Sequence, residues 1–375
     1  MFVNHTAHSI FIIAGEESGD LHGSHLVQEV LKLYPNIKFI GHGGNKMAAA
    51  GVEIVEHISA LSVVGFTEVL KHLPYMFNVM NKTIETIREI RPFRVILIDY
   101  PGFNLRLAKK LGGLNIPITY FILPQVWAWK EKRAEIIKNY IDQALSIVPF
   151  EKDWFHERGI NIDFVGHPFV DMKKPSFTKK DFFSKHLLTL NKPLLVLLPG
   201  SRQQEIDRHW PIFNNVIKKL HDIFPNIQFI IGQAPDIILP THPGFIHIEK
   251  DSPRLTMNYG DAGLIASGTA TLEAAVLSLP AVVCYKTSKI TYWIGRRLTK
   301  VKYLSLINLI ANRQIVPEFI QRQMTAGALV KAVIPLLSDT PEREKMISGY
   351  NQITEKLGIP GVYRRAAKLI AEKAF

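Results

Sequence analysis

Cysteine is nearly absent from this chain of 375 residues. The single thiol, Cys284, cannot close an internal disulfide, which excludes a cystine-stapled scaffold and suits a reducing cytosol. Its surroundings, "PAVVCYK", read as a buried strand in which the thiol is a small hydrophobe rather than a nucleophile. No run of ~18 uncharged apolar residues occurs, so no transmembrane helix is expected. The first residues lack a basic stretch followed by a small-residue cleavage site, so no signal peptide is expected. Cys and His do not fall at zinc-ligand spacings. A basic tail and a nucleic-acid-binding motif are both missing, which argues against nucleic acid as a partner. Repeats and low-complexity tracts are absent. Acids are outnumbered: 33 Asp and Glu face 45 Lys and Arg, a net charge of +12. Such an excess favours anionic partners, either phosphorylated substrates or an anionic membrane surface. The basic residues cluster locally in "KEKR" 130–133, in Lys pairs at 173–174 and 179–180, and in the aromatic-bearing stretch "KITYWIGRRLTKVK" 289–302.

What is present is an alternation of apolar strand patterns and helical patterns. Strands are predicted at 9–14, 37–41, 94–98, 117–122, 144–148 and 162–165, with helices at 21–33, 45–50, 66–90, 104–112 and 130–140. A second series has strands at 194–198, 227–231, 245–248, 262–265 and 281–284, with helices at 203–224, 253–258, 269–278, 289–298 and 324–337. Near-continuous apolar strands between helices imply parallel sheets covered on both faces. The expected fold class is therefore α/β, with two doubly wound Rossmann-like domains facing a cleft. The polar, Lys-rich stretch 171–192 marks the boundary, giving domains 1–170 and 171–340. A helix pair, about 341–356 and 361–374, closes the chain as a segment 341–375. It is expected either to pack back on the first domain or to be exchanged in a homodimer.

In open α/β sheets ligands bind beyond the carboxyl ends of the strands, and the unusual chemistry of this sequence sits in those loops. In the second half, "PLLVLLPG" runs into "SRQQEI". Gly200 and Ser201 allow a tight turn, the backbone N–H groups at the helix start can hold an anion, and Arg202 can grip a phosphate with two hydrogen bonds. "ASGTATLE" places Ser267, Gly268, Thr269, Ala270 and Thr271 at a second helix start. Small residues there admit a diphosphate, and three hydroxyls add hydrogen bonds. No Lys follows, so this is not a Walker loop. Glu273 can hold paired ribose hydroxyls or simply offset the helix dipole.

In the first half, "AGEESGD" 14–20 looks like a phosphate loop after a strand but carries three acids. Glu16 suits sugar hydroxyls better than phosphate, and Ser18 or Asp20 is expected to cap a helix beginning near Leu21. Asp99 lies just past strand 94–98, where a carboxylate can act as general base or as a turn residue. Trp127 and Trp129 in "PQVWAWKEKR" are candidates for stacking on a sugar or acyl chain, or for core packing. His167 in "VGHP" is either a site residue or a structural histidine. The segment 61–80 carries apolar residues around much of its circumference, including Val64, Phe66, Leu73, Met76 and Phe77. Such a helix is deeply buried, lines an acyl groove or touches lipid.

"AGEESGD", "SVVGFTEVL", "IDYPGFN", "PQVWAWKEKR", "VGHP", "LPGSRQQEI" and "ASGTATLE" occur in one order, and together the chain resembles the lipid-A-disaccharide synthase family of bacterial glycosyltransferases over about residues 9–310. The resemblance implies a glycosyltransferase B type fold. It implies an inverting, metal-free and cofactor-free condensation of UDP-2,3-diacylglucosamine with 2,3-diacylglucosamine 1-phosphate. The products would be a β(1→6) lipid A disaccharide 1-phosphate and UDP. It further implies that Asp99 is the base for the acceptor hydroxyl, with Glu16 beside it. Gly200, Ser201, Arg202 and the 267–271 helix start would hold the diphosphate, Glu273 the ribose, and Asn308 in "YLSLINLIA" would lie near the nucleotide. Many members carry a second Asp where this chain has Gly102, so the catalytic role falls on Asp99 here. Val64, Phe66, Leu73, Met76, Phe77, Trp127, Trp129 and His167 would form the acceptor and membrane side. The implied location is cytoplasmic, peripheral to the inner membrane of a Gram-negative bacterium. Two other readings remain open at this point: a UDP-sugar 2-epimerase of the same fold, and a non-catalytic lipid-A-precursor-binding protein.

Overall fold

A computed structural model of the chain describes residues 9–61, 66–173, 175–235, 237–299 and 301–373. The chain forms two compact units: residues 1–171 with 358–375, and residues 172–357.

The first unit is built on seven strands: β1 (Ser9–Ile13), β2 (Lys38–Gly43), β3 (Val52–His57), β4 (Arg94–Ile98), β5 (Ile118–Phe121), β6 (Gln143–Ser146) and β7 (Asp163–Phe164). Their order is β3-β2-β1-β4-β5-β6-β7, and every pair is parallel. The period-2 alternation of the central strands divides their side chains between two cores. Phe11, Ile13, Val95 and Leu97 pack on one face, while Ile10, Ile12, Ile96 and Ile98 pack on the other. This is why "SIFII" and "RVILI" read as unbroken apolar runs: helices cover both sides.

The second unit has β8 (Leu194–Leu198), β9 (Gln228–Gly232), β10 (Ile246–Glu249), β11 (Ala262–Ala266), β12 (Ala281–Tyr285) and β13 (Glu318–Ile320). The order is β10-β9-β8-β11-β12-β13, again all parallel. Each sheet therefore reverses its winding once, between β1 and β4 in the first unit and between β8 and β11 in the second. Those reversals create the crevices where doubly wound sheets take ligands.

Two edge strands, β3 and β13, were not expected from the sequence. The helix expected from Leu21 begins at Glu17, and the one expected from Asn104 begins at Pro101. The closing helix pair does not act as one block. Helix Pro341–Lys356 belongs to the second unit, whereas helix Val362–Glu372 belongs to the first. The latter buries Ala366, Ala367 and Ile370 in the core that holds Leu26, Val27 and Val30. The buried Arg94 donates to Lys373 O (2.6 Å), and Gln143 donates to Leu369 O (2.8 Å), satisfying carbonyls at the helix end. Its apolar face is thus covered by the core of the first unit.

The segment 61–80 is only partly open to description. Val64 lies outside the described residues, as do the side chains of Phe66 and Leu73. Beyond them, on helix Phe66–Ile90, Val79 and Met80 are buried, Met76 packs partly on the core, and Phe77 is 60% exposed. Among the described residues no helix is long and apolar enough to cross a membrane.

Candidate active site

The β1/β4 reversal brings "AGEESGD" beside "IDYPGFN". Asp99 follows the last residue of β4, and both Asp99 (φ 43) and Tyr100 (φ 49) adopt the left-handed conformation. Two consecutive non-glycine residues in that region cost roughly 1–2 kcal/mol each unless the surroundings hold them. Here the surroundings do. Asn104 Nδ2 donates to Ile98 O (3.2 Å) and Asp99 O (2.8 Å), Tyr120 Oη donates to Asp99 O (2.6 Å), and Asp99 N donates to Phe121 O (3.1 Å). Burial, and then the negative charge of Glu16, push the Asp99 carboxyl up to about 6. A carboxylate of that basicity is far better matched to proton abstraction near neutral pH than an ordinary one.

Glu16 is exposed at the head of helix Glu17–Leu33 and makes no capping hydrogen bond there. It is free to meet a substrate. Gly15 is required by packing: a Cβ there would lie 2.2 Å from the Tyr100 ring. Asp20 does not cap its own helix. It is buried and accepts from Gly44 N (2.7 Å), Lys46 N (3.1 Å) and Met47 N (3.0 Å), capping helix Asn45–Ala49 instead.

The β8/β11 reversal brings the other two motifs together. Gly200 has φ 143, in the region glycine reaches without strain. A Cβ there would fall 2.6 Å from Glu205, whose carboxylate accepts from Ser201 N (3.0 Å). Arg202 is the exposed N-cap residue of helix Gln203–Ile223, and among the described residues its side chain has no partner. Ser267 and Gly268 lead from β11 into helix Thr269–Val276. The Thr271 hydroxyl is turned inward and donates to Gly268 O (2.8 Å), so it braces the turn. Ser267, Thr269 and Ala270 stay partly or fully exposed. Glu273 pairs with Arg254 at 2.9 Å; burial raises its carboxyl, and Arg254 opposes that shift. It is therefore a half-buried ion pair beside the helix start. Among the described residues no group of three His, Cys, Asp or Glu side chains is arranged to hold a metal.

Several expected site residues have structural duties. Asn308 spends its whole amide inside the unit: Nδ2 donates to Val316 O (2.9 Å) and Glu318 Oε1 (2.8 Å), while Oδ1 accepts from Ile315 N (2.7 Å) and Val316 N (3.0 Å). No capacity is left for a nucleotide. Trp127 is buried, donates to Glu151 Oε1 (2.8 Å) and meets Phe150 edge to face, so it is core. Trp129 is 49% exposed beneath the cations of Lys130 and Arg133. His167 is buried, its Nδ1 accepting from Phe169 N (3.2 Å); burial and then His22 push it down to about 3, so it stays neutral.

Four residues escaped the sequence reading: Asn104 and Tyr120, which clamp the Asp99 turn, Glu151 and His209. Glu151 is fully buried, accepts from Trp127 and Ser146, and is pushed up to about 7 mainly by burial. An acid in the first turn of a short helix is a commonplace in sequence, and only burial makes it unusual.

The sequence model of the lipid-A-disaccharide synthetase family matches residues 10–373. The lipid-A-disaccharide synthase of Myxococcus xanthus is 38% identical over 371 residues, covering 97% of each chain. That of Geobacter metallireducens is 37% identical over 374 residues, covering 97% of this chain and 96% of the other. Among solved structures, a putative UDP-N-acetylglucosamine 2-epimerase from Listeria monocytogenes superposes with a TM-score of 0.65 at 12% identity, covering 98% of this chain and 96% of that one. The glycotransferase of kitacinnamycin does so with 0.64 at 16% identity, covering 98% and 99%. At those identities the two structures show the fold, the glycosyltransferase B type, and nothing finer.

Proposed function

The chain belongs to the lipid-A-disaccharide synthetase family, and from that premise we propose how its two sites carry out the synthesis of the lipid A disaccharide. It is a glycosyltransferase. The donor is UDP-2,3-diacylglucosamine and the acceptor 2,3-diacylglucosamine 1-phosphate, joined β(1→6) with inversion. The acceptor 6-hydroxyl attacks C1 of the donor from the face opposite UDP. The new O6–C1 bond forms as the bond from C1 to the diphosphate oxygen breaks. The hydroxyl proton passes to Asp99, and the electron pair leaves with UDP.

The observation that carries the assignment of Asp99 is its basicity, set by burial and by Glu16 at the β1/β4 crevice. Glu16, exposed beside it, hydrogen-bonds a sugar hydroxyl. On the donor side Arg202 and the first amides of helix Thr269–Val276 take up the charge that develops on UDP, the work a divalent cation does elsewhere. No resident metal or cofactor enters this scheme. Glu273, paired with Arg254, accepts from ribose hydroxyls in this scheme. The excess of positive charge and the exposed Phe77 and Trp129 support peripheral attachment to an anionic membrane, at the cytoplasmic face where acylated sugars are made. A homodimer remains a separate proposal.

The test is mass spectrometry of the product formed from the two defined acylated sugars. A tetra-acyl disaccharide 1-phosphate with release of UDP is the expected result. A UDP-linked epimer, or no turnover, refutes the scheme.

A further inference from the structure

The geometry points to His209 as a positioning residue for the nucleotide diphosphate, one that clamps together the two loops flanking the start of helix Thr269–Val276. The inference rests on reading the 200–202 and 267–271 loops as the diphosphate site. His209 is fully buried in the second turn of helix Gln203–Ile223. Its Nδ1 lies 2.6 Å from Pro199 O, and its Nε2 lies 2.9 Å from Lys286 N. A carbonyl only accepts and a backbone amide only donates, so Nδ1 carries the proton and Nε2 is bare. Both nitrogens are thus committed to main chain outside the residue's own helix.

The two loops it joins are the exits of β8 and β12. In the sheet β11 lies between those strands, so the imidazole fixes the span across the exit of β11, where Ser267 and Gly268 begin the anion-binding turn. At the β8 exit it holds the carbonyl that precedes Gly200, and hence the peptide plane from which Ser201 and Arg202 depart. Phe213 and Tyr285 flank the ring, each with its centroid 6.3 Å away. Burial keeps the imidazole below its ordinary range, so it remains the neutral tautomer that both bonds require. A leucine would fill the same space, but only a side chain with a donor at one end and an acceptor at the other ties these two loops.

The experiment is calorimetric titration of UDP into the full-length wild type, His209→Leu, His209→Gln and Arg202→Ala, with steady-state kinetics and thermal melts of each. Two hydrogen bonds lost from a preorganised site predict UDP affinity about tenfold to thirtyfold weaker in His209→Leu. The KM for the UDP-sugar should rise in proportion, while kcat and the KM for the phosphorylated acceptor should change by less than about threefold. Glutamine, with one donor and one acceptor of similar reach, should restore most of the affinity. If the leucine variant does not fold, His209→Phe keeps a flat ring against Phe213 and Tyr285 and carries the same comparison. A folded Leu or Phe variant with wild-type UDP affinity, beside a weakened Arg202→Ala, overturns the role of His209 and leaves the diphosphate site standing. Unchanged affinity in Arg202→Ala as well overturns the diphosphate site itself.

Discussion

At the scale of single residues, the protein separates its charged groups by the company they keep. Asp99 and Asp20 are both acids at the end of a strand or in the first turn of a helix, and nothing in the local sequence ranks them. Asp20 accepts three backbone hydrogen bonds and is committed to structure. Asp20→Ala should cost about 2–3 kcal/mol, by leaving buried donors unpaired, seen as a lower midpoint in thermal melts. Asp99 accepts little and is desolvated. Its folded pKa of about 6 lies above the ~3.9 of an unfolded chain, so ionising it opposes folding. That penalty is absent below pH ~4, grows as pH rises through the interval to about 6, and is complete above it. Asp99→Asn should therefore stabilise the protein at pH 7.5 by about 1–2 kcal/mol, partial exposure reducing the full effect. Denaturant melts at pH 7.5 and pH 4 check this: the gain should vanish at the lower pH. Among the described residues Arg202 has no partner to lose, so Arg202→Ala should leave stability unchanged while UDP binds about tenfold to hundredfold more weakly, the worth of a charge-assisted bond.

At the scale of elements, the turn at Asp99 and Tyr100 is strained and clamped. Asp99 and Tyr100 hold left-handed φ angles because Asn104 and Tyr120 grip the Asp99 carbonyl from two sides. Tyr120→Phe removes one clamp without changing the core volume. It should lower kcat about fivefold to tenfold with the fold and UDP affinity intact, measured by steady-state kinetics beside UDP titration. Most of the elements were legible in the sequence because strands buried on both faces leave continuous apolar runs, as in "RVILI" and "PLLVLL". The two missed strands had no such run. In β3, "VEIVEH", Glu53 and Glu56 interrupt the apolar residues at a sheet edge, and β13 is three residues long at an edge of its own sheet. Motif loops were legible for the same reason the strands were: each follows an apolar run and opens a helix. Their division of labour was not legible. Whether Asn308 touches a ligand or closes a loop depends on the backbone of Ile315 and Val316 and on the Glu318 carboxylate, brought to it by the fold. Trp127 and Trp129 look equivalent in "VWAW", yet one faces Glu151 in the core and the other faces solvent under two cations.

At the scale of the whole molecule, each unit carries one reversal of sheet winding and one set of motif loops at it: Asp99 and Glu16 in the first, Arg202 and the start of helix Thr269–Val276 in the second. The sequence placed both sets past the ends of strands. The reversal points themselves emerge only from strand order, which pairing between distant segments decides. The final helix, Val362–Glu372, returns to the first unit through contacts that no local pattern announces, since its partners Arg94 and Gln143 lie more than two hundred residues away. The net charge of +12 predicts binding to anionic vesicles that weakens with salt, each basic residue near the surface contributing ~1 kcal/mol. Flotation with Phe77 and Trp129 both changed to Ser should show reduced recovery with anionic vesicles; unchanged recovery would assign the attachment elsewhere. The central claim is that this family member transfers a glycosyl group with Asp99 as its base. It is tested most directly by the rate of disaccharide formation, followed by mass spectrometry from pH 4.5 to 8 for the wild type and Asp99→Asn. With Asp99 as the base, the wild-type kcat/KM falls about tenfold per pH unit below about 6, and the Asp99→Asn rate is at least about a hundredfold lower at pH 7.5 and lacks that acid limb. An Asp99→Asn enzyme within a few-fold of wild type, with the same acid limb, would contradict it.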